Sequence, residues 1–176
     1  EQSGESDQPL SARIASTLIR MGGMYYKLGD RLEELRMYKE AKTIYKKAFG
    51  ENHNFVAGAR KNIGMVLAEQ GEYVKALEQF EKARQIYSAV QEGEEATRDV
   101  ASAISCMGNV KNRVGELDDA LEQYMNALKI YKSIQQKADD SGCKETATLD
   151  VTATLKVVGM VHSKRGDLDT AMGFFT

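Results

Sequence analysis

NIGMVLAEQGE, residues 62–72, decides the fold, because three other stretches share its layout. They are RMGGMYYKLGD (20–30), CMGNVKNRVGE (106–116) and VVGMVHSKRGD (157–167). Each sets a glycine, six residues, a second glycine and an acid in the same order. The pairs are Gly22/Gly29, Gly64/Gly71, Gly108/Gly115 and Gly159/Gly166. Four matches in 176 residues mark an internal repeat, and a repeat of this length points to stacked supersecondary units.

A second signature follows each stretch. It reads YKEAKTIYKKAF (38–49), YVKALEQFEKAR (73–84), LDDALEQYMNAL (117–128) and LDTAMGFF (168–175). Ala41, Ala76, Ala120 and Ala171 line up, as do Tyr45, Phe80, Tyr124 and Phe175, and then Ala48, Ala83 and Ala127. Residues at i, i+4 and i+7 share one helix face, so alanine, aromatic and alanine form a single packing stripe. The first glycine and the first alanine are small, and each such pair is expected to meet where two antiparallel helices approach closely. The second glycine with its acid should end one helix and cap the next. Neither helix can bury its stripe alone, so neighbours must stack. The expectation is an all-α fold, a right-handed α-solenoid of about three and a half antiparallel helix pairs. Residues 1–10 read as a flexible N-terminal segment and 11–176 as the array, with repeats at about 11–53, 54–97, 98–147 and 148–176, the last truncated.

From about Ser11 to the end, these offsets of glycine, alanine, aromatic and alanine resemble the tetratricopeptide repeat. That family's usual Trp near the repeat start and its closing Pro are missing. The periods are long, 42 from Gly22 to Gly64, 44 to Gly108 and 51 to Gly159, against about 34 in the plain motif. The excess of the second and third repeats is assigned to connectors, VQEGEEATRD (90–99) and QQKADDSGCKETATLD (135–150). Such repeats are similar to those of kinesin light chains and the related spindle-orientation and receptor-clustering adaptors. FGENHNFVAGARKNIG (49–64) is similar to the light-chain pattern between repeats. The first repeat admits two registers. Either Gly22 holds the close-packing position and seven residues are inserted before Ala41, or Gly29 does and no insertion is needed. The turn signal at Gly29-Asp30 favours Gly22.

Composition narrows the function. The net charge is -2, so no basic field draws in nucleic acid. No apolar run reaches membrane-spanning length, and the opening EQSGESDQPL is not a signal peptide. Cys106 and Cys143 are too few for a disulfide framework and point to a cytoplasmic or other reducing intracellular compartment. His53, in a connector, and His162, on a packing face, have no metal-ligand spacing around them. Gly22-Gly23 lacks the strand and the Lys-Ser or Lys-Thr of a phosphate loop. Tyr25, Tyr45, Tyr73, Tyr87, Tyr124 and Tyr131 fall at core offsets. Ser141, Thr146 and Thr148 lie among acids in a connector, where phosphorylation competes with simple capping. No catalytic residue, cofactor or metal is expected.

One surface remains, the inner face of the first helix in each pair. The family resemblance implies that residues six and three before the packing glycine, and one, four and five after it, face a ligand. That surface includes Lys27, Lys61, Met65, Glu69, Asn109, Asn112, Arg113, Lys156, Met160 and Lys164. It carries five basic residues against one acid in a chain of net charge -2. The expected function is a protein–protein interaction module that binds a partner peptide, acidic in character, along the second to fourth repeats. Packing laterally as a structural subunit, with no peptide in the groove, is the alternative.

Overall fold

The structure, a computed structural model, describes residues 9–90, 94–137 and 143–174, and side chains throughout these except 94–97, 143–145 and 147. Eight helices run through the described residues, and none of these residues is in a strand. They are α1 (Leu10–Leu28), α2 (Arg31–Phe49), α3 (Asn54–Glu69), α4 (Tyr73–Ala89), α5 (Glu94–Val114), α6 (Leu117–Lys137), α7 (Cys143–Arg165) and α8 (Leu168–Gly173). Two compact units hold them, 1–90 with α1 to α4 and 91–176 with α5 to α8. Within each unit every helix packs on the one that follows it. The expected segment 1–10 lies outside the described residues except Pro9 and Leu10, and Leu10 already begins α1.

The turn inside each pair is one motif used four times. Gly29, Gly71, Gly115 and Gly166 take φ of 78°, 79°, 88° and 96°, the left-handed region that glycine enters without a Cβ clash. The residue after each glycine then donates its backbone N–H to a carbonyl five residues earlier. Asp30 reaches Tyr25 O at 3.0 Å, Glu72 reaches Leu67 O at 2.9 Å, and Glu116 and Asp167 reach Lys111 O and His162 O at 3.0 Å. This Schellman closure satisfies carbonyls the helix leaves open. The acids were expected to cap the next helix with their side chains. Asp30 does, accepting from Glu33 N at 3.1 Å, whereas Glu72 and Asp167 make no such bond.

The close contact inside each of the first three pairs is glycine against an aromatic ring. A Cβ built on Gly64 would stand 2.7 Å from Phe80 Cε1, on Gly108 2.9 Å from Tyr124 Cε1, and on Gly22 2.8 Å from both Cδ1 and Cζ of Tyr38. This corrects the expectation that glycine faces alanine. Each ring stands sixteen positions after its glycine, and that spacing settles the first repeat. Gly22 is the packing glycine, but Tyr38, not Tyr45, matches Phe80 and Tyr124. Ala41 then aligns with Ala83 and Ala127, and Tyr45 with Tyr87 and Tyr131. No residues are inserted before Ala41.

Glu34 stands where Ala76 and Ala120 stand in the next repeats, and it is buried at 4% exposure. Arg31 Nη1 lies 2.8 Å from Glu34 Oε2. Burial pushes the Glu34 carboxyl above its ordinary range while Arg31 pulls it down. An acid replacing a small residue hid the alanine position from pattern matching.

The long periods are absorbed largely by helix. The expected connectors are mostly the beginnings of α5 and α7, which have 21 and 23 residues against 16 in α3. Thr146 and Thr148 are therefore exposed positions on α7 rather than in a loop, and Ser141 lies outside the described residues. The aromatic offset of the last repeat, Phe175, also lies outside them.

Candidate functional site

In the first unit α1 and α3 carry the proposed inner face. Lys27 is exposed, Lys61 half-buried, and Met65 exposed at 46%. Glu69, the one acid of the set, is engaged at 2.7 Å by Arg31 Nη2. Arg31 begins α2, lies 4.5 Å over the ring of Tyr26 on α1, and also holds Glu34. One guanidinium thus joins α1, α2 and α3. Sequence reading missed Arg31, because it does not share the inner-face register. Its position directly after the Gly29-Asp30 turn was the available signal.

In the second unit the face is built by α5 and α7. Tyr124, buried on α6, donates its hydroxyl to Asn109 Oδ1 at 2.6 Å. Burial, opposed by hydrogen bonding from Asn112, pushes the Tyr124 phenol up to about 12, so it remains a donor at neutral pH. Lys164 Nζ donates to Asn112 O at 2.8 Å and to Asn112 Oδ1 at 3.1 Å. The structure therefore brings Asn112 and Lys164 together across two helices. Arg113, Lys156 and Met160 are exposed on the same two helices.

Five acids in this unit are paired with bases. Arg165 pairs with Asp167 and, at 2.6 Å, with Asp118. Lys111 pairs with Glu116 and, at 3.3 Å, with Asp119. Arg98 takes Asp150 at 2.6 Å. Among the described residues no carboxylate lies within ion-pair distance of Lys156 or Lys164. Such a face offers positive N–H donors, amide groups and a flexible methionine. Groups of these kinds can hydrogen-bond carboxylates and backbone carbonyls.

Both histidines have structural partners. His53 caps α3, accepting from Phe55 N at 3.2 Å, and stacks on Phe49 at 4.4 Å between ring centroids. His162 stacks on Phe174 at 5.5 Å, with Asp167 at 3.4 Å from its Nδ1. Cys106 is a half-buried thiol, and the Cys143 side chain lies outside the described ones. Among the described residues no group of His, Cys, Asp and Glu is arranged to hold a metal, and no helix is long and apolar enough to cross a membrane.

Residues 13–89 match the family model of the tetratricopeptide repeat. No curated protein sequence matches the chain. Similar solved structures include BtubC (BKLC) from P. vanneervenii, 17% identical, with a TM-score of 0.76 over 97% of this chain and 63% of that one. A Podospora anserina putative kinesin light chain with nearly identical TPR-like repeats is 12% identical, TM-score 0.69, covering 95% of this chain and 73% of that one. The Rap conjugation gene regulator of plasmid pLS20, solved with the Phr* peptide, is 17% identical, TM-score 0.73, covering 99% of this chain and 46% of that one. The chain thus spans less than two thirds of BtubC and less than half of the Rap regulator.

Proposed function

We infer, for a chain whose residues 13–89 are tetratricopeptide repeats and whose fold is a helical solenoid of that type, that it is a non-catalytic binding module for a peptide segment of another protein. The second unit's inner face takes an acidic stretch of that segment. The observation that carries the reading is the exposed set Arg113, Lys156 and Lys164 on α5 and α7, with no carboxylate among the described residues within ion-pair distance of Lys156 or Lys164. Asn109 and Asn112, whose side-chain oxygens accept from Tyr124 and Lys164, grip the peptide backbone through their amide N–H groups in this reading. Met160 supplies an adaptable apolar contact between the charges. The Rap regulator's capture with a peptide is support by fold likeness.

Exposed charge pairs contribute about 0.2–1 kcal/mol each, so the three cations together shift affinity by roughly tenfold or more. Much of that appears in the association rate. The test is fluorescence anisotropy with labelled peptide arrays, comparing acidic segments with their neutral versions. Binding of acidic segments should weaken as salt rises past about 0.15 M, where the Debye length is near 8 Å. Arg113→Glu with Lys156→Glu should remove the preference while leaving the helical spectrum intact, since both side chains are exposed. A folded double variant that keeps parental affinity for acidic peptides rejects the site, and lateral packing in a larger complex then becomes the reading to test.

A further inference from the structure

Within the first unit a cleft of about 460 Å³ lies between α2 and α4. The apolar part of its lining is Ile63 and Leu67 of α3 with Leu35 of α2. Its basic part is Lys39 and Lys42 on α2 and Lys75 on α4. Thr43 and Gln79 add a hydroxyl and an amide. From Leu35 to Thr43 the α2 wall advances about 12 Å. A cavity of this size, apolar along one side and charged along another, suits a small molecule.

The molecule's own repeats show what is unusual about Lys42. The register of Tyr38, Phe80 and Tyr124 aligns Lys39 and Lys42 with Glu81 and Arg84 on α4 and with Met125 and Leu128 on α6. On α4 the two positions satisfy each other, as Glu81 and Arg84 pair at 2.7 Å. On α6 Leu128 is core, 3% exposed in a cluster with Ala127 and Tyr131. On α2 both positions are lysine, and Lys42 is half-buried. Among the described residues no carboxylate lies within ion-pair distance of Lys39 or Lys42. Glu51, which also acts on Lys42, is held by Lys46 and Arg60. Of the two acids on the cleft wall, Glu72 is held by Lys75 and Glu78 is exposed. Burial, with Arg60, Lys39 and Lys46 close by, lowers the Lys42 ammonium from its ordinary 10.5 against the pull of Glu51. A half-buried cation among cations costs free energy that a bound anion offsets.

We propose that the cleft between α2 and α4 binds a small amphiphilic anion, with its carboxylate or phosphate head at Lys42 and Lys39 and its apolar body on Leu35, Ile63 and Leu67. Lys42 gives the head a charge-assisted N–H donor in a setting drier than the open surface. The apolar side chains give the body an area to cover, which a bare inorganic ion would leave empty. The cleft shares no residue with the inner-face set and does not rest on the peptide-binding reading.

The probes are octanoate and octyl phosphate, with octylamine as their cationic twin. Calorimetric titration of the 176-residue chain should show one-to-one binding of an anion, with octylamine at least about tenfold weaker. Binding of either anion supports the proposal, and the tighter one names the head. Methyl NMR should place the bound anion by shifts at Leu35, Ile63 and Leu67. Lys42→Met should fold, as leucine does at this position on α6, and should weaken the anion at least about tenfold. Lys47→Met removes a cation from the same helix outside the cleft and should leave affinity unchanged. If Lys42→Met does not fold, the twin comparison and the methyl shifts on the parent carry the test. The proposal is overturned if neither anion binds saturably in the millimolar range, or if octylamine binds as well as the anions. Shifts confined to other methyls overturn it too. So does a folded Lys42→Met that binds the anion as the parent does, or a Lys47→Met that loses as much.

Discussion

Gly22 and Gly23 are adjacent on α1, yet replacing each by alanine should move stability in opposite directions. Both lie inside a helix, where alanine is favoured over glycine by about 1 kcal/mol. Gly23 has no atom within 4 Å of the place a Cβ would take. Gly23→Ala should therefore raise stability by about 0.5–1 kcal/mol. At Gly22 the new methyl would stand 2.8 Å from two carbons of the Tyr38 ring, closer than carbon atoms approach without repulsion. Tyr38 is itself buried at 7%, so its ring has little room to yield. Overpacking costs about 1–3 kcal/mol, and a clash this close belongs at the upper end. After the helix gain is subtracted, Gly22→Ala should lose about 2 kcal/mol. The two variants then differ by about 3 kcal/mol, or about 6–12 °C in melting temperature for a chain of this size. The assay is thermal and urea unfolding followed by circular dichroism, with Gly22→Ala/Tyr38→Leu as the second arm of a double-mutant cycle. Removing the ring should recover part of the loss. If both glycine variants melt alike, or Tyr38→Leu recovers nothing, the glycine–ring contact does not set the spacing of the helix pair.

Ala76→Arg and Ala120→Arg place a long cation at positions of 0% exposure and should each cost several kcal/mol, read as loss of the cooperative thermal transition. Near-parental melting would mean that these positions are not packed. Two acids should respond to pH in opposite senses. Burial holds the Glu34 carboxyl above its ordinary 4.5. Its favourable contribution is therefore complete below 4.5 and fades as pH rises through the folded-state value. Glu34→Gln should gain on the parent as pH rises above 4.5, and a gap constant with pH counts against the burial argument. Glu51, held by Lys46 and Arg60, is lowered from 4.5 to about 2, so its contribution is present above 4.5 and lost as pH falls towards 2. Glu51→Gln should trail the parent at neutral pH and draw level near pH 2, and melts showing no closing gap refute that pairing.

The tetratricopeptide pattern and the element types were legible because their causes are local. Glycine seven residues after glycine, followed by an acid, encodes a left-handed stop and a Schellman closure wherever it occurs. Alanine and aromatic residues at helical spacing encode a buried stripe without knowledge of the partner. The inner-face positions were implied by the family resemblance, counted from the packing glycine, and α5 and α7 bring two of them, Asn112 and Lys164, into contact. Which other groups meet was not legible. The Arg31–Glu69 pair joins helices 38 positions apart in the chain, and nothing in either segment signals the other.

By itself the sequence determined the repeat, the α-solenoid class and the turn glycines, and it favoured Gly22 over Gly29 as the packing glycine of the first repeat. Only the tertiary structure decided that Gly22 meets Tyr38, that Glu34 occupies an alanine position, and that the long periods become longer helices at α5 and α7. The physical reason is the range of each cause. Helix periodicity, glycine backbone freedom and capping act within a few residues and leave a mark in the local sequence. Burial, ring-against-glycine contact and the pairing of a buried acid depend on what a distant segment supplies, so they exist only once the helices are stacked.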